Sequence, residues 1–402
     1  MSESLAGHQP QFADECVIVE VFCRAPVYDN IFSYISPREL VRLGHSCHAA
    51  YAASKDYSRR AFNINRHLSG FISQPLLFRS LQARTGTLIA GSNALQFLDR
   101  TVYDEADMDM YVHPGHAREV MDYIVEKEGY EFKPHSRQPQ DYRKIVSDKW
   151  DNTRIRQDYQ IKGVKSVLSL EKHGSDGGHQ KIQVIECTMS PFDTIINFHS
   201  TCVMNFIAFD AAYSLYPIAT FEDRSTLQVW RARPLHDVSV AIKYGQRGFQ
   251  WLSALPLGDT SLSASFYPHV TRTVGDRYTW KMSLDIQGID LRPQMSSSST
   301  LFQFDPVICN SWSLLERDEE MATVYEPIQS AIFRYNYTTT NALLHLDLCW
   351  VQFLPIVHYN IPYLTVSHVH WYTSKVDETR KYKQTCAVQM RHPYRNISFV
   401  ID

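Results

Sequence analysis

"LIAGSNALQFLDRTVYDEADMDMYV", residues 88 to 112, decides the fold. Leu88-Ile89-Ala90 is a short apolar run followed by a Gly-Ser pair, and Asn93 to Asp99 has helical spacing. Asp107 and Asp109 then alternate with Met108, Met110 and Val112, the period of a strand with its acids on one face and its core on the other. A glycine between strand and helix lets the backbone turn sharply and approach a ligand. The free amides of the helix start favour an anion such as phosphate. Ser92 adds a hydroxyl at the same place. Two carboxylates on one face repel unless a cation lies between them. A hard divalent ion, Mg²⁺ (or Mn²⁺), suits such oxygen ligands and commonly bridges protein to substrate phosphates. Alone, an Asp-x-Asp is more often a solvated loop edge. In the order strand, Gly-Ser, helix, strand it reads as a site for a nucleoside triphosphate and its metal, with Gly91 and Ser92 on the nucleotide and Asp107 and Asp109 on the ion.

Downstream, Ala117–Gly129 reads as a helix, and Gly163–Glu171 and Lys181–Thr188 as two strands joined by the loop KHGSDGGHQ. Helices are expected at Phe192–Phe198, Asn205–Leu215 and Pro234–Arg247. Lys243, Arg247 and Arg100 are cations available to a triphosphate by composition alone, Lys243 being preferred. Beyond residue 250 the chain turns β-leaning, at Tyr278–Ile286, Leu343–Phe353, Leu364–Tyr372 and Cys386–Arg391. His368 and His370 share a strand face, but without a third partner they read as an ordinary β pair.

Upstream, "PVYDNIFSYISPRELVRLGHSCHAAY" (residues 26–51) holds two helical patterns separated by Ser36-Pro37, a natural N-cap and first helical residue. A further basic helical stretch, about Ser54 to Leu81, leads into the central motif. Its cluster RRAFNINRH (Arg59–His67) reads as the wet face of a helix, so nucleic acid as a partner is left without support.

The bulk numbers are those of an ordinary globular chain. It has 402 residues, 44% hydrophobic and 21% charged, too long for one typical core. A net charge of −3 gives no whole-chain pull toward nucleic acid or membrane. The most apolar late run, Leu348–Tyr359, is short and broken by Gln352 and Pro355, so no bilayer span is expected. The first residues, MSESLAGHQPQFADE, are polar and acidic without a secretory pattern, so a cytoplasmic or nuclear location is expected. The eight scattered cysteines then read as reduced and mostly buried thiols.

Ala90-Gly91-Ser92 followed by Asp107-Met108-Asp109-Met110 resembles the signature of the nucleotidyltransferase superfamily, the polymerase-beta-like fold. Here 14 residues separate Ser92 from Asp107, a slightly long spacer. The wider string is similar to a group of fungal proteins that place this motif after an F-box-like segment. The resemblance implies a third carboxylate on a later strand. In KIQVIECT the position fitting that pattern is Gln183, an amide, with Glu186 three residues on. Either Glu186 completes a catalytic triad with Asp107 and Asp109, or the site has two acids and lacks the general base. Residues 26–51 resemble the F-box, through Pro26, Ile31, Phe32, Ile35, Ser36-Pro37, Leu40, Leu43, Ser46, Cys47 and Tyr51. This implies docking on the linker subunit of a cullin-type ubiquitin ligase, with Ile31, Phe32, Leu40 and Leu43 as the apolar surface. Gly44, His45 and Ala49-Ala50 depart from that pattern.

The expected architecture is α+β: a leader (1–20), an F-box-like helical module (21–84), a nucleotidyltransferase-fold domain (85–250) and a β-rich region packed on it (251–402). Two functions follow. One is nucleotide and Mg²⁺ binding with nucleotidyl transfer to an acceptor. The other is a ubiquitin-ligase adaptor whose degenerate domain recognises a target.

Overall fold

The computed structural model describes residues 20–103, 107–147, 162–173, 178–229, 234–255, 264–291, 307–317, 320–329 and 335–340, together with the backbone course of strands within 365–401. Three helices open the described chain: α1 (Ala25–Tyr34), α2 (Pro37–Gly44) and α3 (His48–Ala61). Ser36 starts α2 with a capping box. Its hydroxyl accepts from the Glu39 amide, and the Glu39 carboxylate accepts from the Ser36 amide. The three helices close a small core of Tyr28, Phe32, Leu40, Ala53 and Tyr57. Gly44 is needed where α2 crosses α3, because a Cβ there would lie 2.5 Å from the Ser54 hydroxyl.

The single helical stretch expected over Ser54–Leu81 is interrupted twice, giving the end of α3, then α4 (Ile64–Leu68) and α5 (Pro75–Thr85). Asn63 caps α4, and Pro75 can only start a helix.

The main sheet follows, with β1 (Leu88–Ala90), β2 (Met108–Val112), β3 (Glu131–Lys133), β4 (Val164–His173), β5 (His179–Cys187), β6 (Asn205–Ile207) and β7 (Ala211–Ser214). Outside it, β8 (Ser225–Leu227) pairs in parallel with β9 (Gln250–Leu252), and β10 (Thr271–Thr273) joins a smaller sheet. β11 (Trp280–Ser283) returns to the main sheet, whose order is β11-β7-β6-β1-β2-β5-β4-β3. Every neighbour pair in it is antiparallel except β2 and β5. The fold is therefore α+β around a mixed sheet. Between the strands run α6 (Ser92–Asp99), α7 (Ala117–Glu126), α8 (Tyr142–Ile145) and α9 (Pro191–Ile195), and α10 (Pro234–Gln246) follows β8. Met108, Met110, Val112, Ile182 and Val184 share one sheet face and are fully buried, as are Val120, Met121 and Ile124 of α7.

The expected helix at Asn205–Leu215 is instead the β6–β7 hairpin. All of its strand residues are buried, so neither a helical nor a strand period was available to distinguish the two. Residues past 250 are β-rich, and β11 shows that they complete the main sheet. In β12 (Ser311–Arg317), Trp312 is fully buried, packs on Phe192 at 5.6 Å and donates to the Tyr216 hydroxyl at 3.0 Å. The Leu343–Phe353 segment lies outside the described residues, and so do the side chains of His368 and His370. Among the described residues, no helix is long and apolar enough to cross a membrane. Cys187 and Cys202 are buried, but Cys23, just before α1, and Cys47, the N-cap of α3, are exposed.

One buried cation ties these layers together. Arg79 on α5 is fully buried and donates to the carbonyls of Phe209 (2.7 Å) and Asp285 (2.6 Å) and to Asn65 Oδ1 (3.1 Å). Arg79→Met keeps the volume but removes the donor to both carbonyls, so we expect a loss of about 2 kcal/mol in unfolding free energy. Urea denaturation with an unchanged midpoint would refute that role.

Candidate functional site

The site grows from the β1–β2 pairing. Ala90 is the register partner of Asp109, which brings the end of β1 and the first turn of α6 beside that carboxylate. Gly91 makes the turn with φ +70° and ψ −140°, and a Cβ on it would lie 3.3 Å from Asp109 Oδ2. Both constraints favour glycine here. Asn93, the second residue of α6, is buried and its Oδ1 lies 2.8 Å from His67 Nε2, anchoring the helix start to α4.

Asp107 and Asp109 share one sheet face, as their spacing predicts. The next strand adds Lys181 and Gln183 to that face, Gln183 being the register partner of Asp109. Lys181 Nζ lies 2.7 Å from Asp107 Oδ2. Asp109 is different. Its Oδ1 is shielded from solvent and has no hydrogen-bond partner. Burial, then the neighbouring Asp107 charge, pushes its carboxyl up to about 7, against the opposing pull of Lys181 and Lys243. Lys243 comes from the last turn of α10, and Tyr244 beside it is buried. A shielded carboxylate oxygen without a donor, next to a second acid and a glycine turn, is a donor set suited to a hard divalent cation.

The other expected residues fall elsewhere. Glu186 is not a third acid of this site. It is register partner to Val112, so strand alternation turns it to the opposite face. There it is buried, 2.9 Å from Lys165 Nζ and 3.4 Å from the Ser166 hydroxyl. Arg100 is committed to the helical module, donating to the carbonyls of Phe32 (2.9 Å) and Ile35 (2.6 Å). Arg247 lies with its guanidinium 3.8 Å from the centre of the Tyr103 ring. Lys181 was missed by sequence reasoning, although its place two residues before Gln183 in an alternating strand puts it on the acid face.

The expected docking surface divides. Phe32 and Leu40 are buried in the module's own core, Leu43 is half-buried, and Ile31 is exposed. The exposed apolar row on α1 is Val27, Ile31 and Tyr34. α2 also faces the sheet body. The Ser36 hydroxyl donates to Glu222 at 2.9 Å, and a cleft of about 300 Å³ runs between Arg38, Val41 and Arg42 on one side and Phe221, Tyr267 and Trp280 on the other.

No family model, no curated protein and no solved structure matches the chain.

The raised Asp109 carboxyl has a definite pH signature. Well below its ordinary value of 3.8, the folded and unfolded carboxyls are both protonated and contribute nothing. As pH rises the unfolded group ionises first, so folding loses stability between about pH 4 and 7, and the loss is constant above that. Asp109→Asn should flatten this slope in metal-free protein, by on the order of 2–4 kcal/mol at pH 8 relative to pH 4. Denaturation midpoints followed across that range check it, and parallel curves for wild type and variant would refute the burial of this charge.

Proposed function

We propose that the protein binds a nucleoside triphosphate together with Mg²⁺ or Mn²⁺. The observation that carries this reading is the unpartnered Oδ1 of Asp109, shielded beside Gly91 at the start of α6. In this reading Asp107 and Asp109 hold the ion. The α6 amides and Ser92 take a phosphate, and Lys243 faces the same group. When bound, the ion would neutralise phosphate charge and align the nucleotide. Lys181, 2.7 Å from Asp107 on the same face, would add positive charge beside a bound phosphate.

The order strand, Gly-Ser, helix, strand supports reading residues 85–250 as a nucleotidyltransferase-type domain. Transfer to an acceptor is the activity such a motif serves. Gln183 stands in register with Asp109 where that signature calls for a carboxylate, and Glu186 points away. This supports binding without turnover.

Thermal melts of the full chain test it. Saturating nucleotide with Mg²⁺ should raise the wild-type melting temperature, as a ligand that binds only the folded state must. Asp107→Asn and Asp109→Asn should each lose that shift, while Glu186→Gln, already destabilised by an orphaned Lys165, should keep it. No shift with any nucleotide and divalent ion would overturn the reading. Pyrophosphate release by wild type would replace binding without turnover by catalysis.

One observation favours the adaptor reading as runner-up. Val27, Ile31 and Tyr34, at i, i+4 and i+7 of α1, form an apolar stripe left exposed after the module has closed its core. If this stripe docks on a cullin-ligase linker subunit, a pull-down with wild type should recover the linker and a Val27→Asp/Ile31→Asp double variant should not. Equal recovery by both, or none by wild type, would discard it.

A further inference from the structure

The long β4–β5 hairpin carries a second cluster, toward its turn and beyond Lys181 from the paired acids. His173 and His179 are directly opposite each other at its end, and Glu171 stands two residues before His173 on the same strand. Strand alternation places all three side chains on one face. The imidazole ring centres are 4.9 Å apart, and Glu171 Oε2 lies 3.6 Å from His179 Nε2. One ligand atom from each of the three falls within 4.8 Å of the others.

We infer that Glu171, His173 and His179 form a binding site for a transition-metal ion of the Zn²⁺ class. Two imidazole nitrogens and one carboxylate oxygen make a borderline-soft donor set, which selects Zn²⁺ and its first-row neighbours over Mg²⁺. Tetrahedral zinc with bonds near 2.1 Å needs its ligand atoms about 3.4 Å apart. The two histidines are exposed and Glu171 half-buried, so side-chain rotation alone closes the remaining gap.

The neighbours explain why Glu171 is available. Its register partner on β5 is Lys181, the obvious cross-strand counter-ion, but Lys181 is held 2.7 Å from Asp107. Its partner on the other side is Glu131, a second acid, paired with Lys133 at 2.8 Å. Glu171 therefore faces like charge on one side and an already engaged lysine on the other, and it turns toward His179. Three protein ligands leave a fourth position for water or an external donor.

This proposal does not rest on the nucleotide reading. Lys181 lies between the two groups, as register partner of Glu171 and ion-pair partner of Asp107, so the zinc cluster is tested first with nucleotide and Mg²⁺ both left out. Titration calorimetry of the full chain with Zn²⁺ alone is the test, with no nucleotide present. Because the chain has 17 histidines, comparison between variants decides, not stoichiometry. Glu171→Gln, His173→Gln and His179→Gln should each weaken the tightest Zn²⁺ binding at least tenfold, and excess Mg²⁺ should not compete. Co²⁺ should give the visible absorption of tetrahedral coordination in wild type and lose it in a His173→Gln/His179→Gln double variant. Metal-free melting curves of these variants should overlay wild type, since the residues carry no buried packing. Wild-type Zn²⁺ affinity in the double variant, or no Zn²⁺ binding by wild type, would overturn the proposal.

Discussion

The missing side chain at residue 91 lets α6 begin against the Asp109 carboxylate. A Cβ there would lie 3.3 Å from Asp109 Oδ2, tighter than ordinary contact, and the backbone at that point takes φ +70°. With hydrogen in that place, α6 begins beside the carboxylate instead of being held off by a methyl group. The sheet then does the rest of the positioning. Pairing in parallel with β5 delivers Lys181 and Gln183 to the same face, while the methionines of β2 enter the core on the other. Charge placement here is a product of backbone register, which no surface loop could hold as firmly.

The electrostatic state that results is lopsided. Asp107 has its lysine at contact distance, whereas Asp109 is shielded, hydrogen-bonded to nothing through one oxygen, and crowded by its neighbour's charge. A protein that needed Asp109 only for stability would do better with an amide or an apolar side chain, because an unsatisfied buried acceptor costs stability. A cation beside it would offset both the burial and the neighbouring charge. Glu186 on the opposite face is the contrast, a buried acid whose half-buried partner Lys165 comes built in.

Much of this was legible in the chain. β1 and β2 lie where the apolar run and the Asp-Met alternation put them, and α6 starts one residue earlier than its spacing suggested. Those segments have one wet and one dry side, so periodicity carries information. It fails at Asn205–Leu215, where both sides are dry. It fails in another way at Phe32 and Leu40, whose helical spacing is the same whether a stripe closes its own core or meets a partner. Gln183 and Glu186 could be assigned to opposite faces by counting, but which strand lay beside Asp109, and in what register, is a long-range fact. The same holds for Lys181, whose importance depends on Asp107 being 74 positions away in sequence.

Arg100 closes α6 in the left-handed conformation and reaches across to the carbonyls that end α1, while Phe62 packs edge-on against Phe97 of α6. One short helix thus has its first residue at the paired acids and its C-cap clasped to the N-terminal module. A cut between residues 84 and 85, where composition invites a boundary, would leave that arginine facing water and strip an aromatic partner from the strut that carries the glycine turn. An excised central piece would be a protein with a frayed lever, and its behaviour toward ligands would report the fray as much as the site. The structural unit that holds this helix includes the helices in front of it.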